Sequence, residues 1–176
     1  QFLKEIAENG KTKLNELKYL QLDYHAFFCT SSAIVNKEKM GIHNPSEALI
    51  EAAKNLGIAK CMLITPYDNK IGDNVKKHLE NNDIVILKCI HLNLLDTKEY
   101  FKYGIENLEQ LIVAEYKNEY ENIVISCTNL PTLHLMHLED KLEANIISSN
   151  LSMFWKICHD NRIKTGKISN LFKKGV

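Results

Sequence analysis

No excess of charge marks this sequence: 22 Lys and Arg balance 22 Asp and Glu, a formal net charge of zero. Without a basic stripe to neutralise phosphates, nucleic acid is not an expected partner. No apolar run approaches the roughly 18 residues of a membrane helix, and the N-terminus lacks the apolar stretch of a signal peptide, so no membrane association is expected. Proline is scarce beside abundant Asn and Lys, a bias that reads as an AT-rich genome rather than a mechanism. The sequence has no C-x-x-C pair and no Cys/His cluster with zinc-finger spacing, and no metal or other cofactor is expected. Its five cysteines, Cys29, Cys61, Cys89, Cys127 and Cys158, are odd in number and scattered. That pattern favours reduced thiols in the cytoplasm over a disulfide framework. An initiating Met is missing too, since Gln1 stands first, which suggests a fragment.

What remains is 176 residues, 45% apolar and 25% charged, enough for one large domain or two small lobes. Short apolar runs predict strands at His25–Cys29, Cys61–Thr65, Ile84–Ile90, Ile123–Cys127 and Ile146–Ser148. Unbroken runs of this kind suit strands covered on both faces, as in a parallel sheet. Amphipathic stretches between them predict helices over Phe2–Leu22, Lys70–Glu80, Ile105–Tyr120, Leu130–Leu142 and Leu151–Asp160. The clearest helix opens at Asn44-Pro45-Ser46-Glu47, with Asn as cap and Pro in the first turn, and closes at Gly57. Strand–helix alternation predicts β-α-β units and an α/β fold.

Phe28-Cys29-Thr30-Ser31 is echoed by Ser126-Cys127-Thr128-Asn129, each at the end of an apolar strand. In open α/β sheets ligands bind at the carboxyl ends of strands, where helix N-termini offer N–H groups. A thiol there is a nucleophile and a base, and the polar residues after it can hold a carboxylate or an enolate oxygen. Cys29 and Cys127 are therefore the candidate reactive pair. Cys61 and Cys89 within strands and Cys158 on a helix read as inert apolar filler. His134 and His137 read as a partly solvated helix face, Phe154 and Trp155 as packing residues, and the tail from Phe172 to Gly175 as a solvated end. Ser149-Asn150 reads equally as cleft floor or, for Ser149, as a helix cap.

Val124-Ile125-Ser126-Cys127-Thr128-Asn129-Leu130, with Leu138-Glu139 and Ser148-Ser149-Asn150, resembles the C-terminal half of maleate cis–trans isomerases. These belong with arylmalonate decarboxylases to the cofactor-independent superfamily of aspartate, glutamate and hydantoin racemases. Ala26-Phe27-Phe28-Cys29-Thr30-Ser31-Ser32 looks like that family's first cysteine motif, and Leu63-Ile64-Thr65-Pro66-Tyr67 like its Thr-Pro-Tyr strand end. The resemblance implies two pseudo-symmetric flavodoxin-like lobes with mainly parallel sheets, residues 1–44 with 151–176 and residues 45–150. The active site would lie in the cleft between them, in a protein that often forms homodimers.

It further implies that Cys29 adds to the alkene carbon of a small carboxylate while Cys127 donates and later removes the proton beside it, turning maleate into fumarate. Tyr67, Thr30, Ser31, Thr128 and Asn129 would hold the substrate's carboxylates. An amino-acid racemase for aspartate or glutamate, and a non-catalytic carboxylate-binding relative, remain alternatives. The family's opening strand, ending in Ser-Asn-Thr, has no counterpart before Phe2–Leu22, so the sequence is expected to be incomplete at its N-terminus. The segment from Ile34 to Pro45 is short against the family. Thr97 falls where the family has a substrate-binding Asn; Asn93 reads first as a solvated loop residue and second as a displaced substitute for it.

Overall fold

The computed structural model describes residues 2–22, 24–35, 43–94 and 96–173. The connection between Ile34 and Pro45 lies largely outside them, as do Gln1, Leu95, Lys174 and Gly175. The long first helix, α1 (Phe2–Leu17), runs on into a short 3-10 turn at Lys18–Leu20. After it come α2 (Thr30–Val35), α3 (Pro45–Leu56), β1 (Lys60–Thr65), α4 (Asn69–Glu80), β2 (Val85–His91) and α5 (Thr97–Glu115). The chain continues through β3 (Asn122–Ile125), α6 (Leu138–Leu142), β4 (Asn145–Ser148), α7 (Ser149–Asp160) and α8 (Asn170–Lys173). The fold is α/β.

All four strands are parallel, in the order β2-β1-β3-β4. The inner strands β1 and β3 are buried almost throughout, as continuous apolar runs require when helices cover both faces. Edge strand β2 instead leaves Val85 and Leu87 exposed. On the opposite edge, Glu139 accepts hydrogen bonds from the backbone N–H of Ile146 in β4 (3.0 Å) and of Asn170 at the start of α8 (2.7 Å). That buried carboxylate pairs the outward N–H of an edge strand and the first N–H of a helix at once.

The caps of α3 form as the sequence indicates. The Asn44 side chain accepts from Ser46 and Glu47, and Gly57 closes the helix in the left-handed region at φ 73°. Other expectations need correction. His25–Cys29 is not a strand: one isolated parallel bridge joins Ala26 to His43, because no strand lies beside this segment among the described residues. Leu130–Leu142 is not one helix but a turn, a 3-10 segment at Leu133–His137 and the short α6. Pro131 cannot donate a helical hydrogen bond, and the Thr132 hydroxyl donates to Ser148 instead of capping.

Helix α5 starts eight residues before the expected Ile105, because Asp96 caps it by accepting from Lys98 and Glu99. It is kinked at Gly104 (φ 69°, ψ 172°), which obscures its periodicity, and Tyr120 falls in a separate 3-10 turn. Trp155 is core, whereas Phe154 is 45% exposed and packs on Phe172, itself buried and no part of a solvated tail. Among the described residues no helix is long and apolar enough to cross a membrane.

Candidate active site

Moving outward from β1, the strand order passes through β2 on one side and β3 on the other. The boundary between β1 and β3 is therefore a topological switch point, where the connections leave a crevice at the carboxyl ends. Tyr67 follows the end of β1 and Cys127 the end of β3. Ile64 pairs with Ile125, and the N–H of Ser126 donates to Ile64 (3.0 Å), so the two strand ends leave the sheet side by side. The carbonyl of Tyr67 accepts from the Asn93 N–H (3.2 Å), which fixes the turn carrying the phenol.

A cavity of about 660 Å³ opens there, and Cys29, Thr30, Ser31, Tyr67, Cys127, Thr128 and Asn129 all line it. Cys29 enters from the α2 wall, on the residue whose carbonyl starts α2 by accepting the Ala33 N–H (3.1 Å). That wall is tied to the sheet by two polar bridges. The Thr30 hydroxyl donates to Ser149 (2.9 Å) and the Thr128 hydroxyl to the carbonyl of Phe28 (3.2 Å). A third bond, from the Ser32 hydroxyl to the carbonyl of Leu3 (2.6 Å), holds α1 over α2.

The two thiols differ in surroundings. Cys29 is partly exposed, with its sulfur 3.8 Å from the Ser31 hydroxyl. Cys127 is only 3% exposed. Burial pushes the Cys127 thiol above its ordinary value, while hydrogen bonds from the Tyr67 hydroxyl and the N–H groups of Asn129 and Leu130 pull it part of the way back. The N–H of Asn129 reaches the sulfur at 3.3 Å. The Asn150 amide donates to the carbonyls of Thr128 (2.9 Å) and Leu130 (3.3 Å), so the turn that bears these donors is itself held. Tyr67 is raised well above the usual phenol range by burial and by the Cys127 sulfur beside it. A buried thiol of this kind stays protonated at neutral pH, yet has three donors ready for the thiolate once the proton has left.

The Ser-Ser-Asn run after β4 divides its work. Ser148, rather than Ser149, caps α7, accepting from Leu151 (3.2 Å), and Ser149 takes the Thr30 hydroxyl. Asn93 is exposed, bonds the His91 carbonyl (3.1 Å) and is not among the residues lining the cavity. Thr97 does line it. Three wall elements were not singled out from the sequence: Phe2, Leu3 and Ile6 of α1, Lys70 and Asn74 of α4, and Tyr100 of α5. Only knowledge of strand order and helix kinks brings them to one place. His134 and His137 lie away from this cavity and face solvent, the second bonding Glu109 (3.0 Å). Of the remaining cysteines, burial pushes Cys61 up to about 12 and Cys89 up to about 11, which fits inert thiols.

A family model described as arylmalonate decarboxylase matches residues 31–169. No protein of curated function matches the sequence. Among solved structures, a cysteine-to-alanine variant of the maleate isomerase of Pseudomonas putida S16 with maleate superposes at a TM-score of 0.89 with 16% identity, over 98% of this chain and 80% of that one. A cysteine-to-serine variant of the Nocardia farcinica maleate cis–trans isomerase, with a covalently bound succinylcysteine intermediate, superposes at 0.82 with 15% identity, over 91% and 74%. An arylmalonate decarboxylase superposes at 0.80 with 18% identity, over 97% and 83%. At these identities the likeness establishes a shared two-lobed fold.

Proposed function

The chain belongs to the arylmalonate decarboxylase family, and from that premise we propose that it is a cofactor-independent isomerase of a small carboxylic acid, most like a maleate isomerase. One observation carries this reading: two thiols of unequal burial line one cavity, at the switch point of a parallel sheet. The succinylcysteine in the Nocardia farcinica relative supports covalent addition by a thiol.

In this mechanism the Cys29 thiolate adds to one alkene carbon of the substrate and forms a C–S bond. The π electrons move to the neighbouring carbon, which takes the proton of the Cys127 thiol. The resulting carbon–carbon single bond rotates. The Cys127 thiolate then removes the proton, the double bond re-forms, and the Cys29 thiolate leaves. Charge and protons balance, so no cofactor is consumed.

Burial suits Cys127 to the proton-carrying role, because a neutral thiol is the required starting form, while the more accessible Cys29 suits attack. Tyr67 and the Asn129 and Leu130 N–H groups stabilise the charge that appears on Cys127. Asn129 and Thr97 are left to meet carboxylates, while the Ser31 hydroxyl is shared with Tyr67 and those of Thr30 and Thr128 are spent on bridging the walls. We assign residues 1–44 with 151–176 to one lobe and 45–150 to the other, which puts Cys29 on the first and Cys127 on the second. Five free thiols fit a reducing compartment, here taken as the cytoplasm.

Loss of maleate absorbance in the short ultraviolet tests the reading. Cys29→Ala and Cys127→Ala should each abolish turnover, and an active Cys127→Ala variant would overturn the two-thiol scheme. Circular dichroism on L-aspartate and L-glutamate separates the racemase alternative. Melting-temperature rises with dicarboxylates but no turnover would favour a binding protein.

A further inference from the structure

The α5 wall of the cavity holds a second phenol that the mechanism above does not use. Tyr100 stands in the first turn of α5, one turn beyond Thr97, and both line the cavity. Its backbone N–H is spent on the Asp96 carbonyl (3.2 Å), but its hydroxyl has no hydrogen-bond partner among the described residues. It lies close enough to both thiols to feel their charge.

Most of the first-turn backbone donors of α5 are already taken. Asp96 accepts the N–H groups of Lys98 and Glu99 on its side chain, at 2.8 and 3.0 Å, and that of Tyr100 on its carbonyl, which leaves the Thr97 amide alone in that turn for a substrate anion. The α1 wall, with Phe2, Leu3 and Ile6, is apolar and suits only the hydrocarbon part of a ligand. Beyond that one amide, any group of the substrate that needs a donor on the α5 side must find it on a side chain.

Resting on the isomerase reading, we propose that the Tyr100 hydroxyl donates to the second carboxylate of the substrate, the one remote from the carbon that Cys29 attacks, and so selects C4 dicarboxylates over monocarboxylates. A carboxylate only accepts hydrogen bonds, so the phenol must keep its proton to serve. It does: burial, with the neighbouring Cys127, Asp68 and Asp96, pushes Tyr100 up to about 12. Tyr67 is unsuited to this task because its hydroxyl is engaged by Cys127 and Ser31.

The test compares binding of succinate and butyrate, C4 acids that differ in one carboxylate, to the wild type and to Tyr100→Phe by calorimetry. The substitution removes an oxygen without a partner among the described residues and keeps the ring, so the melting temperature should not move. A hydrogen bond to a charged group predicts a succinate Kd raised about tenfold, with that for butyrate within about twofold. Equal effects on the two acids, no effect on either, or a wild type with no preference for succinate would each overturn the proposal. The Kd ratio reads Tyr100 whether or not the protein turns maleate over. Failure of the isomerase scheme would appear separately, as absent turnover with the succinate preference intact.

Discussion

Tyr67 sets its phenol against the sulfur of Cys127, across the point where β1 and β3 leave the sheet together. Each side of this contact is fixed from outside it. The Asn93 N–H holds the Tyr67 carbonyl at 3.2 Å, and the Asn150 amide holds the Cys127 turn through the Thr128 and Leu130 carbonyls. The contact sets how readily Cys127 parts with a proton. Burial alone would keep the thiol neutral, and the phenol tempers that.

Replacing Tyr67 with Phe therefore has a defined direction. The ring stays and the donor goes, so the Cys127 thiol moves further above its ordinary range, since the lost hydrogen bond was one that lowered it. Turnover should fall by roughly tenfold to a hundredfold, the value of a hydrogen bond to a charged group. Iodoacetamide alkylation of Cys127, followed by mass spectrometry across pH, should need a more alkaline solution than in the wild type. An unchanged alkylation profile would show that the phenol does not govern this sulfur.

Gly104 supplies a second prediction, on the geometry of the α5 wall. Its φ of 69° with ψ of 172° breaks the helix between the segment bearing Thr97 and Tyr100 and the segment packed on the core through Leu108 and Ile112. A Cβ there would meet nothing within 4 Å, so an alanine costs only backbone strain. Gly104→Ala should lower stability by about 1–3 kcal/mol in urea unfolding. If the helix straightens to escape the strain, Thr97 and Tyr100 leave the cavity and dicarboxylate binding weakens with it. Stability and binding both at the wild-type level would mean that the kink imposes neither cost nor geometry.

The sheet was readable in the sequence because β1 and β3 are buried on both faces, and continuous apolar runs leave only one reading. The caps of α3 were readable because Asn44, Pro45 and Gly57 each act through their own backbone and near neighbours. Local chemistry also marked Cys29 and Cys127, the family resemblance marked Tyr67, and all three line one cavity. His25–Cys29 misled because its apolar pattern is that of a strand, yet a strand exists only with a partner, and one bridge to His43 is what it has. The start of α5 was hidden by Gly104, which interrupts the 3.6-residue period just where Thr97 and Tyr100 approach the site. The division of Ser148 and Ser149 between capping and bridging depends on Thr30, 119 residues distant, which no local pattern announces.

The Ser46–His78 contact gives a pH dependence whose sign is fixed. His78, near the end of α4, bonds the Ser46 hydroxyl in the first turn of α3 at 2.8 Å. Burial lowers its pKa below the ordinary histidine value, despite the opposing pull of Ser46 and Glu47. A depressed histidine pKa means that the folded state prefers the neutral ring, so the unfolded chain takes up the proton first as pH falls. The stabilisation is fully present above the unfolded value of about 6.5 and is lost as pH drops below it, with a limiting slope of about 1.4 kcal/mol per pH unit. His137 acts in the opposite sense, since hydrogen bonds to the His134 carbonyl and to Glu109 raise its pKa. Urea midpoints at pH 7.5 and pH 5.5 should therefore be compared between the wild type and His78→Gln. The variant keeps a polar side chain beside Ser46 but has no proton to gain, so its stability should fall less on acidification. Parallel losses in the two proteins would show that the ring at position 78 is not what acid titrates in unfolding this fold.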